Sequence, residues 1–139
     1  SALADRLGAG LLVTASRRTG ARNEAVLRQV LRGSNVFFWD GTGENPYFGF
    51  LAQADAILVT GDSVNMVSEA ASSGKPVFII PLETARGAQR AADKFNRFRK
   101  QVMEAGAARM FGDSVDLDDR PVPLDETARV AAAVKKLFG

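Results

Sequence analysis

The sequence predicts an α/β fold: a doubly wound three-layer domain with helices on both faces of a mostly parallel sheet of five to six strands. Three observations predict it. Short apolar runs alternate with amphipathic stretches along the whole chain. The loops between them are short, which favours β-α-β crossovers over a run of hairpins. The runs are also apolar at consecutive positions, as strands buried on both faces are. Right-handed crossovers of such units build a Rossmann-like arrangement. A chain of 139 residues is the size of one domain, and a single domain over 1–139 is expected.

Each element follows in order. Residues 2–7 read as a short helix stopped by Gly8 and Gly10. Leu11 to Ala15, "LLVTA", is the first strand, followed by the polar loop "SRRTG". "ARNEAVLRQVLRG" is an amphipathic helix ended by Gly33. Val36 to Trp39 is the second strand, and "DGTGEN" the loop after it. Pro46 suits the first turn of a third helix reaching about Ala54, with Phe48, Phe50 and Leu51 as its core residues. Ala56 to Thr60 is the third strand, Ser63 to Ser73 the fourth helix, and Val77 to Ile80 the fourth strand, closed by Pro81. Residues 88–105 make a long basic helix. Arg109-Met110-Phe111 reads as a short last strand, and residues 125–138 as a closing helix with Asp125 as N-cap.

Composition excludes several chemistries. The chain has no Cys and no His. Disulfides, thiolate catalysis and any triad built on a histidine within this chain are ruled out, and the commonest transition-metal ligand is absent. No metal site and no cofactor are expected. "GTGENP" has Pro46 where a dinucleotide fingerprint needs its third glycine, and Gly74-Lys75 is followed by Pro76 rather than Ser or Thr. The net charge is +2, which calls for no nucleic-acid partner. No apolar run approaches the roughly 18–20 residues of a membrane span, and no signal peptide is visible, so the cytoplasm is the expected compartment. The basic stretch from Arg86 to Lys100 keeps a peripheral contact with acidic lipid open, and its simpler reading is a solvated face. The chain starts without Met and is expected to belong to a longer protein.

In such sheets ligands bind beyond the carboxyl ends of the strands. Four loops lie there: Ser16–Gly20, Asp40–Asn45, Gly61–Ser63 and Leu82–Gly87. Gly61-Asp62-Ser63 opens the fourth helix, whose first-turn amides, including those of Val64 and Asn65, suit an anion. Capping by Asp62 or Ser63 is the simpler alternative. Glu69 lies seven residues after Asp62, two turns on, and is placed to accept from the vicinal hydroxyls of a ribose. The alternative is an ordinary exposed helix glutamate. In the first loop, Ser16, Arg17, Arg18 and Thr19 offer countercharge and hydroxyls for a diphosphate, with a solvated loop as the simpler alternative. In the second, Asp40, Gly41, Asn45 and Tyr47 offer close backbone approach, a stacking face and amide groups for a base. Glu83, in the fourth loop, is the one candidate for a catalytic base, although no residue carries a catalytic assignment.

"DSVNMVSEAASSGKPVFIIP" resembles the nucleotide-sugar site in the C-terminal domain of GT-B glycosyltransferases and of the related non-hydrolysing UDP-N-acetylglucosamine 2-epimerases. The shared pattern is a strand, an Asp-Ser turn, a helix ending in Glu-Ala, then Gly-Lys-Pro and a strand. Ser63 and Glu69 keep the six-residue spacing of the epimerase pattern, while Val64 and Asn65 stand where that pattern has two glycines. Closer still, "TASRRTG", "WDGTGENPYFGFLAQAD", "TGDSVNMVSEAASSGKPV" and "PLDETARVAAAV" resemble motifs of the ELM-type family. That family groups plant mitochondrial-fission proteins with bacterial homologues described as nucleoside-diphosphate-sugar epimerase-like. The resemblance implies a GT-B C-terminal-domain fold, with this chain as the C-terminal half of a two-domain protein whose N-terminal domain is its partner. It implies a UDP-type nucleotide sugar as ligand, its diphosphate between the Arg17–Thr19 loop and the fourth-helix terminus, and its ribose on Glu69. It also leaves open a scaffold or protein-interaction domain that keeps the fold without the chemistry.

Overall fold

The computed structural model describes residues 2–82, 89–112 and 115–125. Within them every expected apolar run becomes a strand and every expected helical stretch a helix. The order is α1 (Ala2–Leu7), β1 (Leu11–Val13), α2 (Gly20–Val30), β2 (Val36–Phe38), α3 (Tyr47–Gln53), β3 (Ile57–Thr60), α4 (Val64–Ala71), β4 (Val77–Ile80), α5 (Gln89–Glu104) and β5 (Arg109–Met110). The fold is α/β and every strand pair is parallel, in keeping with a Rossmann-like arrangement. Where one sheet of five to six strands was expected, the five described strands form a two-stranded and a three-stranded sheet. The chain divides accordingly into two units, Ser1–Ala54 and Asp55–Gly139. The expected closing helix at 125–138 lies outside the described residues apart from Asp125. No helix among the described residues is long and apolar enough to cross a membrane.

In the first unit β1 and β2 pair from Leu11↔Val36 to Val13↔Phe38. The ladder continues past both ends. Leu11 N donates to Asn35 O at 2.8 Å, and Trp39 N to Val13 O at 2.9 Å. The Asn35 amide reaches back to Ala9 O at 3.0 Å, so the turn before β2 holds the chain entering β1. The expectation of strands buried on both faces fails here. Leu12 and Phe37 are register partners, so they share one face, and both are exposed. Phe48, expected in the core, is 69% exposed. Phe50 instead meets Phe37 edge-on, with centroids 5.9 Å apart.

In the second unit β3 pairs with β4 from Ile57↔Val77 to Thr60↔Ile80, and β4 pairs with β5. β4 is central, and Val77, Phe78 and Ile79 are all buried, as a doubly covered strand requires. β3 lies at the edge of its sheet and alternates: Ile57 and Val59 are buried, Leu58 and Thr60 exposed. Against the sheet α4 sets Val67, Ala70 and Ala71, and the two alanines let the helix backbone come close. Val102 of α5 and the Ala107-Ala108 pair add to this core. The chain returns along α4, where Leu124 N donates to Ala71 O at 3.0 Å and Ser72 Oγ to Leu124 O at 2.7 Å. Arg109 of β5 holds Asp119 through a two-pronged pair, Nε–Oδ2 and Nη2–Oδ1 both 2.7 Å. That contact holds the Asp119 carboxyl below the usual carboxylate range, first through the hydrogen bond and then through the charge.

Candidate functional site

The turn between β3 and α4 is built by packing as much as by flexibility. Gly61 N donates to Ile80 O at 2.9 Å, tying the end of β3 to the end of β4. A Cβ on Gly61 would stand 3.2 Å from Ile80 O, 3.3 Å from Ile79 Cγ2 and 3.4 Å from Phe95 Cε1. A side chain there would be tight against a backbone carbonyl that would have to yield by a few tenths of an ångström, so the glycine suits the close approach of β3, β4 and α5. Phe95 is half-buried there beside Phe98, centroids 6.2 Å apart.

Ser63 is the N-cap of α4. It is extended at φ −134°, ψ 111°, it is buried, and its Oγ accepts from Met66 N at 3.3 Å. Val67 N donates to Ser63 O at 3.1 Å as the first helical bond. The capping role is therefore realised. The amides of Val64 and Asn65 are the first-turn donors that a helix leaves without an intrahelical acceptor. Asp62 precedes the helix, so its spacing to Glu69 does not put the two on one helical face. Asn65 and Glu69 do share a face, four residues apart, and both are exposed. Val64, in place of the expected close-approach glycine, is exposed beside them. Glu83 lies outside the described residues.

In the first unit the β1–α2 loop is closed on itself. Ser16 N donates to Thr19 Oγ1 at 3.2 Å and Thr19 N to Ser16 O at 2.9 Å. Arg17 and Arg18 project from this turn, exposed. α2 then starts at Gly20, whose φ of +72° suits a residue without Cβ.

The β2–α3 loop is held at several points. Asp40 Oδ1 accepts from Thr42 N at 2.9 Å and from Thr42 Oγ1 at 2.7 Å. Those two bonds lower the Asp40 pKa, and the Arg28 charge adds to the effect. Trp39 Nε1 donates to Thr42 O at 2.9 Å. Gly41 and Gly43 turn the backbone at φ +89° and +71°. Asn45 Oδ1 accepts from Tyr47 N at 3.0 Å, so the side chain expected to read a base edge has its oxygen on the start of α3. Tyr47 packs edge-on against Phe48 at 5.1 Å.

Sequence reasoning passed over Arg28. Its Nη2 donates to Trp39 O at 2.8 Å and to Glu24 Oε1 at 2.7 Å, its Nε donates to the same oxygen at 3.0 Å, and its guanidinium lies 4.1 Å from the centre of the Phe38 ring. The four-residue spacing of Glu24 and Arg28 on one helix was the available signal. The carbonyl partner comes from a different element, so no local pattern could name it. Among the described residues no group of three or more Asp or Glu side chains is gathered as for a metal ion.

The family model described as "Mitochondrial fission ELM1" matches residues 1–138. The chain is 34% identical over 127 residues to "Mitochondrial fission protein ELM1" of Arabidopsis thaliana, covering 89% of this chain and 28% of that protein. It is 32% identical over 128 residues to "Uncharacterized protein RP120" of Rickettsia prowazekii (strain Madrid E), covering 88% of this chain and 35% of that one. The chain thus spans about a third of the length of these curated relatives. No solved structure matches.

Proposed function

The chain belongs to the mitochondrial fission ELM1 family, and we propose that within it this stretch is the nucleotide-diphosphate-sugar-binding half of a two-domain, GT-B-like glycosyltransferase or sugar epimerase. The observation that carries the proposal is the β3–α4 junction. A buried cap, Ser63, fixes the first turn of α4, and the exposed Asn65–Glu69 pair follows it on one helical face. A capped helix start following a parallel strand favours phosphate at its Val64 and Asn65 amides. One turn on, a carboxylate suits the paired hydroxyls of a ribose. The Asp40–Tyr47 loop is the candidate for the base, and Arg17 and Arg18 for diphosphate charge. Chemistry on the sugar would need groups beyond those described here, and the described residues alone are assigned binding only.

A second reading is a scaffold that keeps this fold without nucleotide. Two observations favour it. The Ser63 hydroxyl already serves the helix, and Val64-Asn65 is bulkier than a glycine pair. The plant relative's name, a fission protein, agrees with a role in assembly.

Calorimetric titration of the full-length protein with UDP and UDP-N-acetylglucosamine separates the two. The proposal expects binding, weakened about tenfold or more by Glu69→Ala, the order lost with a charged hydrogen-bond partner. Absence of binding at millimolar ligand, or an unchanged affinity in the variant, supports the scaffold.

A further inference from the structure

The β2–α3 loop is more constrained than its two glycines suggest, and the constraint is anchored on a residue of α2. Arg28 reaches from the last turn of that helix to the carbonyl of Trp39 at the end of β2. Glu24, one turn earlier, fixes the guanidinium through two of its N–H groups, and the Phe38 ring lies against its carbon centre. From Trp39 the restraint passes inward. The backbone nitrogen of Trp39 is held by Val13 O, its carbonyl by Arg28, and its indole holds Thr42 O. Thr42 is in turn fixed through its amide and hydroxyl to Asp40. Every link from Glu24 to Thr42 is a hydrogen bond between 2.7 and 3.0 Å. The links to Arg28 and Asp40 are charge-assisted, the stronger class. A loop turning through two left-handed glycines would otherwise sample many conformations, and ordering it upon binding would weaken affinity.

We propose that Arg28 is the positioning residue of the Asp40–Asn45 loop, holding it ready for the base of the nucleotide through the chain Glu24–Arg28–Trp39–Thr42–Asp40. This rests on the nucleotide-sugar reading for the identity of the ligand. The restraint itself is a property of the free protein. Arg28 touches no ligand group in this scheme. Lysine could keep the charge but not hold Glu24 and the Trp39 carbonyl together with one rigid fork.

The test uses the full-length protein and its Arg28→Met and Arg28→Lys variants, with Trp39→Phe as a second break in the same chain. Amide hydrogen exchange is followed by mass spectrometry, and binding is measured for UDP and for ribose 5-diphosphate, which lacks the base. Arg28→Met is expected to speed exchange over 40–45 by about tenfold, the loss of one charged hydrogen bond, with exchange at 57–60 and 77–80 unchanged. UDP affinity should fall by about the same factor while ribose 5-diphosphate keeps its own, and Arg28→Lys should recover part of the difference. Trp39→Phe, which removes the indole donor and part of the ring, should loosen 40–45 in the same way. Unchanged loop exchange in both Arg28→Met and Trp39→Phe overturns the restraint. Equal losses for UDP and ribose 5-diphosphate overturn the link to the base. Wild-type protein that binds neither ligand, yet differs from Arg28→Met in loop exchange, overturns the nucleotide reading and with it the assignment of the base, leaving Arg28 as a structural brace.

Discussion

The two units of the chain reach order by different means. In Asp55–Gly139 the order comes from packing. β4 is covered on both faces, α4 and α5 contribute Val67 and Val102, and Ile79 is wholly buried. Among the described residues of Ser1–Ala54, Ala4 alone is in the buried core, while Leu12, Val26, Leu27, Val30, Phe37 and Phe48 are exposed. There the loops are held by polar contacts: the Glu24–Arg28–Trp39 brace, the Asp40–Thr42 turn and the Ser16–Thr19 pair. The contrast follows from strand number. A third strand gives its sheet a centre that can be covered from both sides, whereas each strand of a pair is an edge. Polar contacts of this kind fix geometry well but each adds only about 1 kcal/mol net.

The sharpest way to break the comparison is a pair of truncations in the full-length protein. Ile79→Ala removes a wholly buried branched side chain at the centre of β4. It should cost about 2–5 kcal/mol in urea unfolding, transfer and cavity terms together. Val26→Ala, at an exposed position of α2, should cost no more than about 0.5 kcal/mol. A loss at Val26 approaching that at Ile79 would show that this face of α2 is covered in the whole protein, and the contrast would then vanish.

Gly61→Ala tests the second unit more narrowly. The new Cβ would sit 3.2 Å from a β4 carbonyl and against Ile79 and Phe95. A backbone oxygen gives way poorly, so a loss of about 1–3 kcal/mol is expected, with the β3–α4 turn displaced. Stability equal to wild type would mean the turn needs a glycine for ligand approach alone. Glycines of the first unit differ in kind: Gly41 and Gly43 meet nothing within 4 Å and are required by their backbone angles instead.

What the sequence made legible follows the same division. The run Val77-Phe78-Ile79 could be read as a central strand because all of its side chains are apolar, and it is one. Ser63 as a helix cap was visible from residue type and position. Ala56–Thr60 has the same apolar character as β4, yet β3 is an edge strand with Leu58 exposed, because strand order is not written in any single segment. The packing role of Gly61 is not legible in its own segment, since the close approach depends on Ile80 and Phe95, 19 and 34 residues away in sequence. The Arg28 brace escaped for a related reason: its acceptor is a backbone carbonyl, and every residue type carries one. Glu69 lies on the helix as expected, but counting two turns from Asp62 assumes a helix that begins earlier than Val64.

The smallest expected effect concerns acid, and it distinguishes a turn made by charge from one made by packing. Asp40 is held below the usual carboxylate range first by the Thr42 hydroxyl, then by the Thr42 amide, with Arg28 adding attraction. A carboxyl whose folded pKa lies below its unfolded one contributes its full stabilisation above the unfolded value, about 3.9 for aspartate, and loses it as pH falls through the folded value. The loop should therefore keep its geometry from neutral pH down to about 4 and loosen only on the acid side of that. The Thr42 amide resonance, followed by NMR against pH, should move with a midpoint below the ordinary aspartate value. In Asp40→Asn it should stay flat through that window, since the amide oxygen still accepts from Thr42 without titrating. A midpoint at or above the ordinary value would mean the Asp40–Thr42 bonds do not persist in solution. The order of the first unit would then have to come from its apolar contacts after all, as it does in the second.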